Sequence, residues 1–284
     1  MAVKVFTDSA CDLDQAVCDE LDIGVVPLSV RFGSEELTDR VDLTPQAFYE
    51  KMASTPTLPE TAAPSPGAFE QAFRGALDGG ADGVVCIDLA GGLSATIQSA
   101  RNAAKAIGDD RIRVVDSHSV SWGLGSVVVA CARKAKDGAS LDEVVALAEN
   151  MIPRTRVFAT LDTLDNLKKG GRIGGAQALL GTLLSVKPMI EVGDEVHEAG
   201  KPRTRGKALR QLADKVREAG PIENLAVMHG LAPDVDEMVS LLADVVPKDE
   251  IDVHLIGATI GVHGGPRVMG VAFQVVETGG TAVR

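Results

Sequence analysis

Short β-branched runs that hand over to helical patterns constrain this chain more than any other feature. The runs are "VKVF" (3–6), "IGVVPLSVRF" (23–32), "GVVCIDL" (83–89) and "IRVVDS" (112–117), and the last two lead into helical patterns over 94–107 and 119–136. A strand that returns to a parallel neighbour needs a right-handed crossover, and helical crossovers cover both faces of the sheet. Three of the strands end in polar turns that open helices: "TDSACDLD", "LAGGLSAT" and "DSHSVSWG". Sheets of this kind take their ligands beyond the carboxyl ends of the strands. Thr7, Asp8, Ser9, Ser94, Asp116 and Ser117 are therefore expected along one edge.

The pattern changes after about residue 160. "LLSVKPMIEVGDEVHEAGKPRTR" reads as two strands joined by a turn at Gly193-Asp194, followed by a helix over 204–219. A strand (224–230), a helix (233–246) and two further strands (251–260 and 268–275) complete the chain. Two strands in succession, then strand, helix and strand, predict a mixed sheet with helices mainly on one face. The expected fold class is α/β with two domains: a three-layer parallel-sheet domain over 1–165 and a mixed-sheet domain over 166–284. No long linker and no internal repeat separates them.

Composition removes several classes of function. With a net charge of −12 over 284 residues, the chain is a poor partner for nucleic acid, whose binders must neutralise phosphates. Its longest apolar stretches fall short of the ~18–20 residues that span a bilayer, and "MAVKVFTDSACD" reads into a strand rather than a leader. Cys11, Cys18, Cys86 and Cys131 show no CxxC spacing, so reduced packing residues, a cytoplasmic location and no metal site are expected. There is no GxxxxGK[ST] phosphate loop and no GxSxG elbow, and GGRIGG lacks the dinucleotide-binding context.

Four places carry candidate chemistry. Ser94 opens a helix after a glycine turn, where free backbone N–H groups suit an anion; serine is equally a plain N-cap there. Thr61 lies in an extended stretch held by Pro64 and Pro66, before a helix that starts at Ser65-Pro66-Gly67. His263 is expected in a glycine turn between two apolar strands, as an exposed donor to an anion or a proton carrier; His229 is a weaker case. His118, His197 and His254 read as structural or surface residues. From Lys168 to Arg217 eleven Lys or Arg stand against five Asp or Glu. That stretch is either a solvated face or a site for phosphate or an acidic partner, with Arg172, Arg203 and Arg205 as forked donors.

Six blocks, "FTDSACDL", "TAAPSPGAF", "GGLSATIQSA", "VVDSHSVSWGLG", "LKKGGRIGG" and "IGVHGGPRVMG", resemble the DegV family in order and spacing. The resemblance spans 3–280 and implies a fatty acid in a buried tunnel between two domains. It further implies the fatty-acid-binding subunit of a bacterial fatty acid kinase, serving phospholipid metabolism. A separate ATP-binding catalytic subunit would phosphorylate the carboxylate to an acyl phosphate, so this chain itself is expected to be no enzyme. It implies no cofactor beyond the bound fatty acid, and transient membrane contact. By the same resemblance Thr61, Ser94, Ala95 and His263 bind the carboxylate, while Arg172 and Arg203 face the phosphoryl group or the kinase. Ala62 and Ala63 stand where Ser-Gln is usual, Ala95 replaces a glycine, Ile97 replaces a frequent tyrosine, and Arg267 closes the Gly-Pro block. Two alternatives are a small-carbonyl phosphotransfer enzyme of the dihydroxyacetone-kinase type and a lipid-buffering protein without a kinase partner.

Overall fold

The computed structural model describes residues 3–181 and 186–276. A four-stranded parallel sheet has the order β2-β1-β6-β7, from β1 (Val3–Asp8), β2 (Gly24–Val26), β6 (Gly83–Asp88) and β7 (Ile112–Asp116). A small antiparallel sheet runs β4-β3-β5, from β3 (Ser29–Phe32), β4 (Glu35–Thr38) and β5 (Glu60–Ala62). The third sheet is mixed, in the order β10-β9-β8-β13-β11-β12. Its strands are β8 (Thr155–Thr160), β9 (Met189–Val192), β10 (Val196–Gly200), β11 (Ile222–His229), β12 (Asp252–Leu255) and β13 (Met269–Val275). β8 begins ahead of the 165/166 division read from the sequence. The opening residues of the run before β9, 183–185, lie outside the described residues, as do 277–284.

Ten α-helices connect these strands in the described residues: α1 (Gln15–Glu20), α2 (Pro45–Ser54), α3 (Pro66–Asp78), α4 (Thr96–Ile107), α5 (Trp122–Lys136), α6 (Leu141–Met151), α7 (Asp165–Lys169), α8 (Arg205–Glu218), α9 (Val235–Leu242) and α10 (Ala258–Gly264). No helix among these residues is long and apolar enough to cross a membrane. The ends follow from local chemistry. α3 starts at Pro66 because Ser65 accepts a hydrogen bond from the Ala68 N–H, and α6 starts in a Ser140/Glu143 capping box.

All six residues of β6 are buried, the mark of a central strand covered on both faces. On one face Phe69 and Phe73 of α3 pack with Phe6, Val84 and Cys86; on the other, α5 packs with Val5, Val85 and Ile87. α5 also meets the mixed sheet, where Gln274 donates to Ser126 at 2.8 Å. Successive residues of β8 divide between the two sides of that sheet: Val157 and Ala159 face α5, and Phe158 faces the Leu209–Leu212 core of α8. Phe69 and Phe73 have no exposed surface. Phe73→Ala is expected to destabilise the fold by about 3–5 kcal/mol in urea unfolding, and a loss below 1 kcal/mol would mean the site collapses around the gap.

Two predicted strands are revised. The run 23–32 splits at Pro27, which has no N–H for a ladder, and Ser9 Oγ takes the Leu28 N–H at 3.1 Å. β2 therefore stays in the parallel sheet and β3 leaves it. The run 251–260 ends as a strand at Leu255, and the Gly257 N–H goes to Asp12 Oδ1 at 2.8 Å where α10 begins. α10 is buried on nearly every side, so its apolar residues show no helical period. His263 thus stands in the last turn of a helix, not in a turn between strands.

The carboxyl edge of the parallel sheet is polar as expected, but most of its side chains hold loops in place. Asp8 accepts from the Ala10 and Leu89 N–H groups at 2.8 and 2.7 Å, and Asp116 accepts from Gly91 and His118. Asp8 and Asp88 are fully buried side by side. Burial pushes the Asp8 carboxyl up to about 7, with the nearby Asp39 charge adding to it, and burial lifts Asp88 well above the usual carboxylate range.

Candidate functional site

A cavity of about 810 Å³, its opening included, lies where the two large sheets and α10 face one another. Its walls are largely aliphatic: Leu89 and Leu93 from the loop after β6, Val157 and Ala159 from β8, and Ile190 and Val192 from β9. Among the described residues no aromatic carbon ring lines it.

Thr61, Ser94, Arg172 and His263 supply polar groups to this wall. β5 places Thr61 opposite Val30 in the small sheet, and α10 brings His263 to it, with Thr61 Oγ1 and His263 Nε2 3.1 Å apart. Arg172 follows α7. Its Nε donates to the Leu93 carbonyl at 3.0 Å and its Nη1 to the Gly170 carbonyl at 2.7 Å, which ties the Ser94 loop to the 170–172 segment. Ser94 Oγ lies 2.9 Å from Thr96 Oγ1 and accepts the Thr96 N–H at 3.3 Å, although Ala95 is the N-cap residue of α4. Gly92 lets this loop lie against the Asp194 carbonyl, which a Cβ would approach to 2.1 Å.

Burial lowers the His263 pKa to about 4, and the Arg172 charge adds to the shift. The ring is therefore neutral at neutral pH. Thr61, Arg172 and His263 also line an outer cleft that adds Glu60, Asn166 and Lys169. The polar group thus sits at the passage between an apolar cavity and a charged cleft, an arrangement suited to a ligand with an anionic head and an apolar tail.

Two expected site residues are placed apart from this group. Ala95 and Arg203 are exposed and line neither the cavity nor the outer cleft. Arg205 forms a forked pair with Asp234 at 2.8 and 2.9 Å, and is occupied within the chain. Of the predicted edge residues, Ser94 alone lines the cavity. Two cavity residues escaped sequence reading. Ser121 lies beside Asp12, and Thr259 donates to Asp39 Oδ2 at 2.6 Å. Thr259 precedes His263 by one helical turn, a spacing legible only once the segment is read as a helix.

The four cysteines are free and buried, and burial pushes the Cys131 thiol up to about 12. No metal spacing stands out in the sequence, yet Asp116, His118 and Asp194 bring three potential ligand atoms within 4.8 Å of one another. His118 Nδ1 and Asp194 Oδ1 are 2.6 Å apart, an exposed contact between the parallel sheet and the β9–β10 hairpin. His254 stacks on Trp122 with ring centroids 3.9 Å apart.

Residues 2–276 match the family described as "Uncharacterised protein, DegV family". A DegV domain-containing protein of Deinococcus radiodurans is 38% identical over 281 residues, covering 96% of this chain and 99% of the relative. The chain belongs to the DegV family. Among solved structures, a DegV family protein from Thermus thermophilus described by its fatty acid binding superposes with a TM-score of 0.89. It is 34% identical, over 97% of this chain and 100% of that one. DegV, a fatty acid binding protein from Bacillus subtilis, gives 0.84 at 28% identity, over 97% and 100% of the two chains. A stearic-acid-binding protein from Eubacterium ventriosum gives 0.84 at 28% identity, over 96% and 98%. The α/β architecture of this DegV chain is therefore that of its relatives.

Proposed function

We propose that this chain holds a long-chain fatty acid in the aliphatic cavity and presents its carboxylate for phosphorylation to an acyl phosphate by a separate ATP-binding kinase subunit. The observation that carries the reading is the pairing of an aliphatic cavity with Thr61, Ser94, Arg172 and His263 where it meets an outer cleft. The fatty acids named for the relatives from Thermus thermophilus, Bacillus subtilis and Eubacterium ventriosum support it. The tail drives binding: at ~0.8 kcal/mol per buried CH₂, fifteen methylenes contribute roughly 12 kcal/mol before ordering costs. Hydroxyl and imidazole donors then satisfy a carboxylate that is costly to bury unpaired.

The chain acts as a carrier and the partner performs the chemistry. The parallel-sheet unit and the mixed-sheet unit, the latter beginning at β8, close over the tunnel, and the protein works in the cytoplasm with transient membrane contact. Arg172 reaches both cavity and outer cleft and suits the phosphoryl end, whereas the exposed Arg203 suits a docking surface for the kinase. An aliphatic wall gives no support to a small carbonyl substrate. Ser94→Ala is expected to cost on the order of 1–3 kcal/mol of fatty acid affinity by calorimetric titration. Arg203→Ala is expected to leave that affinity unchanged and to slow acyl phosphate formation with the kinase subunit. Unchanged affinity in Ser94→Ala would remove Ser94 from the carboxylate site, and full turnover in Arg203→Ala would remove Arg203 from the docking surface.

A further inference from the structure

The two edges of the His263 ring meet different surroundings. Nε2 lies 3.1 Å from Thr61 Oγ1, which sets the orientation of the ring. Nδ1 faces Gly170, is buried and has no hydrogen-bond partner. A Cβ on residue 170 would stand 2.4 Å from Nδ1 and 2.8 Å from Cε1, a distance no side chain tolerates. Asn166, 6% exposed, joins the two segments: its Nδ2 donates to the carbonyl of Val262 at 2.9 Å, and its own carbonyl accepts the Gly170 N–H at 2.9 Å. The Asn166 side chain thus fixes the residue before His263, while its backbone carbonyl holds the glycine beneath the ring.

We infer that Gly170 and Asn166 are positioning residues that hold His263 against bare backbone, so that its single proton resides on Nε2 and is offered to the ligand carboxylate. The inference deepens the fatty-acid reading above and rests on it. A buried N–H without an acceptor is rarer in proteins than an under-satisfied lone pair. A proton on Nδ1 would be stranded against Gly170, whereas a proton on Nε2 meets Thr61 and leaves only a lone pair behind. The Nε2 proton is then shared between Thr61 Oγ1 and a carboxylate seated beside the pair, and the Thr61 hydroxyl keeps its own proton for the same anion. The opposite tautomer would turn a lone pair toward the anion. Burial and the Arg172 charge, which keep the ring neutral, ensure that one proton is at stake.

The test is ¹⁵N NMR of the imidazole in the full chain, assigned with His263→Gln, together with palmitate titration of the parent, Gly170→Ala and Asn166→Ala. The parent is expected to show a protonated Nε2 and a bare Nδ1 from pH 6 to 8. Gly170→Ala and Asn166→Ala are each expected to shift the His263 resonances and weaken palmitate binding at least tenfold. A proton on Nδ1 in the parent overturns the inference, whether or not palmitate binds. So does a parent that binds palmitate alongside variants that match it in affinity and in His263 resonances. Should Gly170→Ala not fold, Asn166→Ala and the parent spectrum give the same decision. A parent with the expected tautomer that takes up no palmitate would defeat the fatty-acid reading instead.

Discussion

Ala159→Phe is expected to abolish binding of long-chain fatty acids while leaving the protein folded. Ala159 sits on β8 between Ile190 of β9 and Gly270 of β13 in register, and all three line the cavity. A phenyl ring projecting from this position occupies the path of the acyl chain. Displacing about seven methylenes forfeits roughly 6 kcal/mol at ~0.8 kcal/mol each, more than a thousandfold in the dissociation constant. Overpacking at this position is expected to cost about 1–3 kcal/mol. Calorimetric titration with palmitate and a thermal melt read the two quantities separately. Palmitate binding as in the parent would show that the chain lies elsewhere.

The second large effect is on stability as a function of pH. Burial pushes the carboxyl groups of Asp8 and Asp12 up to about 7, against 3.8 for the model carboxyl. Between those values the folded state binds more protons than the unfolded one. Their contribution is therefore complete below about pH 4 and is lost as the pH rises through 7, by up to about 1.4 kcal/mol per pH unit per group. His263 works in the opposite sense. Its folded pKa of about 4 lies below 6.5, so its contribution is present above pH 6.5 and is lost as the pH falls toward 4. Asp12→Asn keeps an acceptor for the Gly257 N–H and removes the titrating group. Urea midpoints of that variant are expected to decline less steeply than the parent's from pH 5 to 8, and parallel profiles would show that Asp12 ionises freely in the folded protein.

How far the sequence reveals this molecule depends on which interactions are local. The parallel sheet was readable because β1, β6 and β7 are short β-branched runs with helix-opening turns, and β9 and β10 because Gly193-Asp194 marks their hairpin. The break at Pro27 is visible as a proline, but the departure of β3 into the small antiparallel sheet depends on Ser9 and on β5 partners about 30 residues away. α10 reads as strand in the sequence because burial on nearly all sides erases its helical period. Thr61, Ser94, Arg172 and His263 were legible through motif blocks, and the structure brings all four to one cavity. Gly170 and Asn166 were not singled out. Their partners are the His263 ring and the Val262 carbonyl, nearly a hundred residues away along the chain.

Whether the cavity carries a fatty acid is read by extracting the purified protein with organic solvent and identifying the lipid by mass spectrometry. A long-chain fatty acid is expected at close to one per chain, depleted in Ala159→Phe. A parent protein that yields no fatty acid, and takes up none when palmitate is added, would contradict the fatty-acid reading.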